Sequence, residues 1–130
     1  MKKILIAEDD PASRELLVEV LDALGYQVVE ACDGAEALQK AVEVYPDLIL
    51  LDIQMPVFDG FAVLRQLRED SRFATLPILA LTAYAMPEDR EKTLRTGFDA
   101  HIAKPFDVST LRTQIERCFR LRMGSTPQPG

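Results

Sequence analysis

The chain has 130 residues, of which 48% are hydrophobic and 28% are charged. This is the size and composition of one globular domain, which excludes a disordered, collagen-like or coiled-coil protein. The 15 Lys and Arg residues stand against 21 Asp and Glu residues, giving a net charge of −6. That charge argues against direct nucleic-acid binding through a basic face.

The sequence also predicts a cytoplasmic protein that does not associate with membranes. No stretch approaches the roughly 20 apolar residues of a membrane span. The first apolar run, residues 4–7, is too short for a signal peptide and meets three acidic residues at once. The two cysteines, Cys32 and Cys118, have no metal-ligand spacing, which favours a reducing compartment.

Five short aliphatic runs alternate with amphipathic stretches along the chain. Continuous aliphatic runs of four or five residues are typical of strands that are covered on both faces. The five predicted strands are residues 4–7, 27–31, 48–51, 78–81 and 100–103. Between and after them, apolar residues recur at steps of three and four, which predicts helices. The five predicted helical segments contain residues 16–24, 37–42, 61–67, 87–96 and 111–119.

This alternation predicts an α/β fold with one doubly wound sheet of five parallel strands. Parallel strands need crossover connections, and right-handed crossovers place helices on both faces of the sheet. The expected architecture is therefore the (βα)5, flavodoxin-like class, in which ligands bind beyond the carboxyl ends of the strands. We assign residues 1–122 to this domain and predict a disordered tail for residues 123–130, which contain two prolines.

Residues with reactive or charged side chains follow four of the predicted strands. Glu8 and Asp9 follow the first strand, Asp52 the third, Thr82 the fourth and Lys104 the fifth. Several carboxylates in one pocket repel each other unless a cation is present, and Mg²⁺ prefers oxygen ligands. One such carboxylate can also attack phosphorus to form an aspartyl phosphate. The Lys104 ammonium and the Thr82 hydroxyl could then bind the phosphoryl oxygens. Together, these residues predict phosphoryl transfer to an Asp.

A single Asp after a strand is more often a helix cap or a turn residue than a catalytic group. For Asp10 we adopt the cap interpretation, because Pro11 follows at the first helical position. Asp59 before Gly60 likewise predicts a turn and a helix start. The joint occurrence of acids, Thr and Lys at four strand ends favours a functional site over four independent caps.

These motifs resemble the receiver domain of two-component response regulators, of the stand-alone, chemotaxis-regulator-like type. The resemblance covers about residues 2–122, which is nearly the whole chain. The four motifs that carry it are residues 4–11, 46–60, 77–83 and 104–106. Each motif alone is modest evidence, but the four together in this order and spacing are highly specific.

The resemblance implies a role for each site residue. Asp52 would be the phospho-acceptor, which attacks the phosphohistidine of a sensor kinase. Asp9 would bind Mg²⁺ directly, together with Asp52 and the backbone carbonyl of Gln54. Glu8, at a position where the family often has Asp, would act in the same cluster through a metal-bound water. Lys104, preceding a cis proline bond, would pair with the phosphoryl group.

The resemblance also implies a switch. Thr82 would move to bond the phosphoryl oxygen, and a residue of the fifth strand would then turn inward. That residue is His101, where the family usually has Tyr or Phe; a switch role and a partly exposed strand residue both remain open. Gln54 and Tyr84 occupy positions that in relatives tune the access of water to the phosphoryl group.

We therefore expect a phosphorylation-dependent signalling switch and not a turnover enzyme. Its partners would be a sensor histidine kinase or phosphotransfer protein and an unidentified downstream protein; phosphorylation-dependent dimerisation is left open. The alternatives are a receiver excised from a hybrid histidine kinase or larger regulator, and a non-phosphorylated pseudo-receiver that serves only for docking. A small-molecule aspartyl-phosphate phosphatase would need a second acid just after Asp52, and an FMN site would not place Glu8 and Asp9 against a phosphate.

Overall fold

The computed structural model describes residues 1–55, 59–83 and 86–124, with side chains up to Arg120. Its elements alternate as the sequence predicts. The strands are β1 (Lys3–Ala7), β2 (Gln27–Ala31), β3 (Leu48–Asp52), β4 (Ile78–Thr82) and β5 (Ala100–Ala103). The helices are α1 (Pro11–Ala23), α2 (Gly34–Val44), α3 (Gly60–Glu69), α4 (Pro87–Thr96) and α5 (Val108–Gly124), with a short 3₁₀ turn at Ser71–Phe73.

The five strands form one parallel sheet in the order β2-β1-β3-β4-β5. This confirms the predicted doubly wound class. The order changes direction at β1, which lies between β2 and β3, and that switch point is where this class of fold places its ligand site. Asp52 at the end of β3 lies level with Leu81 in β4, and Thr82 lies level with Ala103 in β5.

Alternate residues of each central strand enter two separate hydrophobic clusters, because side chains point to opposite faces of a sheet. In β1, Ile4 and Ile6 pack with α1 and α5, whereas Leu5 and Ala7 pack with α2 and α3. Both faces of β1, β3 and β4 are therefore buried, which explains their unbroken aliphatic sequences.

Helix α4 lies beside α3, where the Lys92 ammonium stands 5.3 Å from the centre of the Phe61 ring.

Aspartates begin most of the helices. The side chain of Asp10 accepts a hydrogen bond from Ser13 N (3.1 Å), with Pro11 in the first turn, so the predicted cap of α1 is confirmed. Asp33 and Asp59 cap α2 and α3 in the same way. Before α5, Asp107 accepts from Thr110 N at 2.6 Å. These bonds satisfy free amide groups at the helix starts.

Helix α5 extends to Gly124, which is two residues past the boundary predicted for the domain. The remaining tail, residues 125–130, lies outside the described residues, as does Tyr84. None of the helices in the described part of the chain combines the length and apolar character needed to cross a membrane.

Arg68 joins three chain segments at the amino-terminal edge of the sheet. Its guanidinium donates to the carbonyls of Phe73 (3.0 Å) and Leu76 (2.7 Å), and it pairs with the Asp99 carboxylate at 3.0 Å. Asp99 in turn accepts from the backbone N–H of Ile78, the first residue of β4. The starts of β4 and β5 are thus tied to the end of α3, far from the strand ends that bear the predicted site.

Replacement of Arg68 by Ala should lower the free energy of unfolding by about 2 kcal/mol, because charge-assisted hydrogen bonds of a largely buried group are lost. Urea denaturation followed by circular dichroism measures the change. Arg65→Ala, on the exposed side of the same helix, is the matched control and should change stability by less than about 0.5 kcal/mol. Equal effects of the two variants would show that the Arg68 bonds do not stabilise the fold.

Candidate functional site

Glu8, Asp52 and Lys104 meet at the carboxyl edge of the sheet. The Lys104 ammonium lies 2.6 Å from Glu8 Oε2 and 3.0 Å from Asp52 Oδ2. The two carboxylate side chains are only 1% and 4% exposed, whereas Lys104 is 22% exposed. Since β5 and β3 are separated by β4, only a long side chain at position 104 can reach across to Asp52. The Lys104–Pro105 peptide bond is cis, as the resemblance implies.

The electrostatics of this group favour further positive charge. Burial raises the pKa of the Glu8 carboxyl to about 7, and the neighbouring Asp52 adds to this against the opposing effect of Lys104. Burial alone would lower the pKa of Lys104, but its hydrogen bonds to Glu8 and Asp52 outweigh that effect and raise it above the ordinary value. Two buried carboxylates thus share one ammonium, and the exposed Asp9 adds a third acid beside them.

A divalent cation fits this donor set. One carboxylate oxygen each from Glu8, Asp9 and Asp52 lies within 4.8 Å of the others. All three are hard oxygen ligands, and they carry more negative charge than Lys104 can balance. Oδ1 of Asp52 accepts a hydrogen bond from the backbone N–H of Gln54 at 2.8 Å, and Oδ2 contacts Lys104, so the orientation of that carboxylate is fixed.

Thr82 is fully buried at the end of β4. Its hydroxyl donates to the side-chain oxygen of Gln54 at 3.2 Å, and the backbone N–H of Ala83 donates to the same oxygen at 2.8 Å. Gln54 therefore contacts Asp52 through its backbone and Thr82 through its side chain. From the sequence, Gln54 is expected to supply only a backbone carbonyl to the metal and to affect the access of water. No local motif predicts this side-chain contact.

His101 does not belong to the acidic cluster. It is a half-buried residue of β5, level with Ala80. It lines a cavity of about 150 Å³ between α4 and α5, together with Arg90, Leu94 and Arg117. The position is thus on the surface formed by α4, β5 and α5, where the resemblance places a switch residue.

Arg14 supports the segment that carries Glu8 and Asp9, a role that the sequence did not predict. Its guanidinium donates to the backbone carbonyl of Glu8 at 2.8 Å and lies 3.4 Å from the Glu30 carboxylate of β2. It thereby links α1 and β2 to the segment that carries Glu8 and Asp9. Nothing in its local sequence separates it from the other surface arginines.

Comparisons with known proteins agree with this geometry. The family model for the response regulator receiver domain matches residues 4–116. Among curated proteins, the chain is 40% identical over 128 residues to the DNA-binding dual master transcriptional regulator RpaA of Synechocystis, covering 98% of this chain but 53% of that protein. It is 38% identical over 107 residues to the polar-differentiation response regulator DivK of Brucella ovis, covering 82% of this chain and 87% of DivK.

A solved structure has the same fold. The receiver domain of sensor histidine kinase PA1611 from Pseudomonas aeruginosa superposes with a TM-score of 0.84 at 35% identity, covering 92% of this chain and 98% of that one. That structure holds a magnesium ion coordinated in its active-site cleft. The chain spans about half the length of RpaA but most of DivK. With its sheet order, its buried acid–lysine group and a family match over most of its length, the chain belongs to the response regulator receiver domains of two-component signalling.

Proposed function

We propose that this receiver domain is a phosphorylation-controlled switch in which Asp52 accepts a phosphoryl group. The donor would be the phosphohistidine of a sensor histidine kinase or phosphotransfer protein. The observation that carries the proposal is the contact of a nearly fully buried Asp52 carboxylate with the Lys104 ammonium at 3.0 Å, beside two further acids. A buried acid held this way is oriented for attack, which a solvated surface Asp is not.

In the transfer, an oxygen of Asp52 forms a bond to phosphorus while the bond from phosphorus to the histidine nitrogen breaks. The hydrogen bond from Gln54 N holds Oδ1 of Asp52 in place, so Oδ2, which faces Lys104, is the oxygen placed to react. Lys104 then neutralises part of the charge on the phosphoryl oxygens. Hydrolysis of the aspartyl phosphate within the same site would reset the switch, so the domain would not turn over a separate substrate.

Mg²⁺ would be held by Asp9 and Asp52 directly, with the backbone carbonyl of Gln54 as a further ligand. Glu8, which pairs with Lys104 at 2.6 Å, would contribute through a metal-bound water. When bound, the ion would balance the excess negative charge of the acids and of the incoming phosphoryl group.

Thr82 and His101 would transmit the structural effect of phosphorylation to the surface that binds a partner. Thr82 would turn its hydroxyl to a phosphoryl oxygen, and His101 would change its place in the cavity between α4 and α5. Since modification adds charge at one point of a packed structure, it would shift the balance between two existing conformations of that surface. An unidentified downstream protein, or a second copy of the chain, would bind the altered surface in the cytoplasm.

Phosphorylation of Asp52 is tested by intact-mass spectrometry after incubation with acetyl phosphate and Mg²⁺. We expect a gain of one phosphoryl group, absent in Asp52→Asn and in the presence of EDTA. Asp33→Asn, which keeps a good cap on α2, is the matched control and should still be modified. A gain that persists in Asp52→Asn would place the acceptor elsewhere; no gain together with no binding of beryllofluoride would support the pseudo-receiver alternative.

Mg²⁺ should stabilise the folded protein, because it binds the folded cluster and not the unfolded chain. At a hundred times its dissociation constant, the ion should raise the free energy of unfolding by about 2.7 kcal/mol. Asp9→Asn should lose most of this gain at the same Mg²⁺ concentration, whereas Asp33→Asn should keep it. Urea denaturation with sodium chloride at equal ionic strength separates binding from screening, and equal gains in both salts would exclude a specific site.

Lys104→Met should lower the free energy of unfolding by about 3 kcal/mol in metal-free buffer, because two buried carboxylates lose their shared cation. Adding Glu8→Gln to this variant should recover part of the loss when stability is measured well above pH 7, where the Glu8 carboxyl is ionised and its removal leaves only one buried charge. Lys92→Met, at an exposed position of α4, is the control and should cost less than about 1 kcal/mol. If Glu8→Gln has the same effect with and without Lys104, the contact at 2.6 Å does not couple the two charges.

A further inference from the structure

The side chain of Gln54 joins the segments that follow β3 and β4. One oxygen, Oε1, accepts hydrogen bonds from the Thr82 hydroxyl (3.2 Å) and from the Ala83 backbone N–H (2.8 Å). The amide orientation follows from chemistry, because the Ala83 N–H can only donate and must face the oxygen of the carboxamide. A single neutral acceptor thus engages two adjacent donors at the carboxyl end of β4.

These two donors lie next to the carboxylate that would be phosphorylated. Asp52 is level with Leu81 on the neighbouring strand, and Thr82 and Ala83 are the next two residues along that strand's direction. A phosphoryl group on Asp52 would bring anionic oxygens to this edge of the sheet. Hydrogen bonds to an anionic oxygen are roughly twice as strong as those to a neutral carbonyl, so the phosphoryl group is the better acceptor for both donors.

The Thr82 hydroxyl has one hydrogen, so it cannot donate to Gln54 Oε1 and to a phosphoryl oxygen at the same time. We propose that the Gln54 carboxamide is a latch that holds Thr82 and Ala83 in the unphosphorylated conformation and is displaced by the phosphoryl group. The inference rests on the proposed phosphorylation of Asp52. Gln54 is in this view a positioning residue, which sets how strongly the switch favours its resting state.

The structure provides room for the displaced side chain. Gln54 is exposed and lines a cavity of about 290 Å³ between the start of α3 and α4. Asp59, Asp89 and Lys92 also line this cavity, so a released carboxamide would find both a hydrogen-bond acceptor and a donor there. Release therefore need not leave the amide group without partners.

The latch differs in its effect from a role in controlling water access. Water access changes how fast an aspartyl phosphate is hydrolysed, whereas the latch changes the equilibrium between the two conformations. Beryllofluoride binds an aspartate as a phosphoryl analogue that is not consumed by such hydrolysis. Its affinity at saturating Mg²⁺ is therefore independent of hydrolysis and reports the equilibrium between the two conformations. Loss of two neutral hydrogen bonds should tighten that affinity about tenfold.

The test compares Gln54→Met, which keeps the length of the side chain but removes the acceptor, with the wild type. Gln66→Met, at an exposed position of α3, is the matched control for the same change of residue type. Gln54→Asn, whose oxygen is retracted by one methylene, is a second variant if the first does not fold. Mg²⁺ affinity is measured for each, because the backbone carbonyl of Gln54 belongs to the proposed metal ligands.

Two measurements by NMR on ¹⁵N-labelled protein decide the outcome. Without any phosphoryl analogue, the Ala83 N–H should exchange with solvent faster in Gln54→Met than in the wild type or Gln66→Met. With Mg²⁺ at saturation, beryllofluoride should bind Gln54→Met about tenfold more tightly. Unchanged Ala83 exchange would show that the contact does not form in solution. Equal or weaker binding of beryllofluoride would show that Gln54 does not oppose activation, and either result overturns the proposal.

Failure of the proposed function gives a different pattern. In that case beryllofluoride binds neither the wild type nor the variants, whatever the Ala83 exchange rates are. This outcome would refute phosphorylation of Asp52 and the switching role of the latch together. Binding to the wild type with no gain in Gln54→Met would refute the latch and leave the proposed function in place.

Discussion

The chemistry of the site depends on two buried carboxylates that share one lysine. Removing Glu8 and Asp52 from water is costly, and the cost is repaid only if each acid finds partners of opposite charge or good hydrogen-bond donors. The Lys104 ammonium provides the opposite charge, 2.6 Å from Glu8 and 3.0 Å from Asp52. The second oxygen of each acid accepts a backbone hydrogen bond, from Asp10 N for Glu8 and from Gln54 N for Asp52. Burial raises the pKa of Glu8 to about 7 in spite of these contacts. Because Asp9 adds a third acid beside this group, the acids outnumber the one ammonium, which favours the approach of a further cation.

The order of strands makes this arrangement possible. Because β1 lies directly beside β3, the acids that follow these two strands are neighbours although they are far apart in sequence. Stability comes from other parts of the chain. The aliphatic strands bury both faces of the sheet, aspartates cap the helices, and Arg68 ties the opposite edge. The fold therefore does not depend on the residues at the carboxyl edge, and these residues can carry charges whose burial is unfavourable.

The sequence predicts the strands and the acidic pocket well, because both depend on local patterns. Each strand is a continuous aliphatic run, and the parallel arrangement sends every strand end to the same edge. The direct pairing of Glu8 with Lys104 and the contact of Gln54 with Thr82 could not be predicted in this way. They join residues 96 and 28 positions apart, and they depend on the rotamers of side chains at strand ends and in loops. Neither hydrophobic periodicity nor a short motif carries that information.

The resting site is internally satisfied by substitutes for the groups that phosphorylation would bring. Lys104, which would pair with a phosphoryl group, is held by Glu8 and Asp52, and Thr82 and Ala83 are held by Gln54. Buried polar groups need partners in both conformations of a switch, since an unpaired one would destabilise that state by about 1 to 3 kcal/mol. The substitutes therefore give the buried Thr82 hydroxyl and the Lys104 ammonium partners in the unphosphorylated state. On phosphorylation of Asp52, as proposed, each substitute contact would be exchanged for a stronger one, so these contacts would also set the stability of the unphosphorylated state relative to the phosphorylated one.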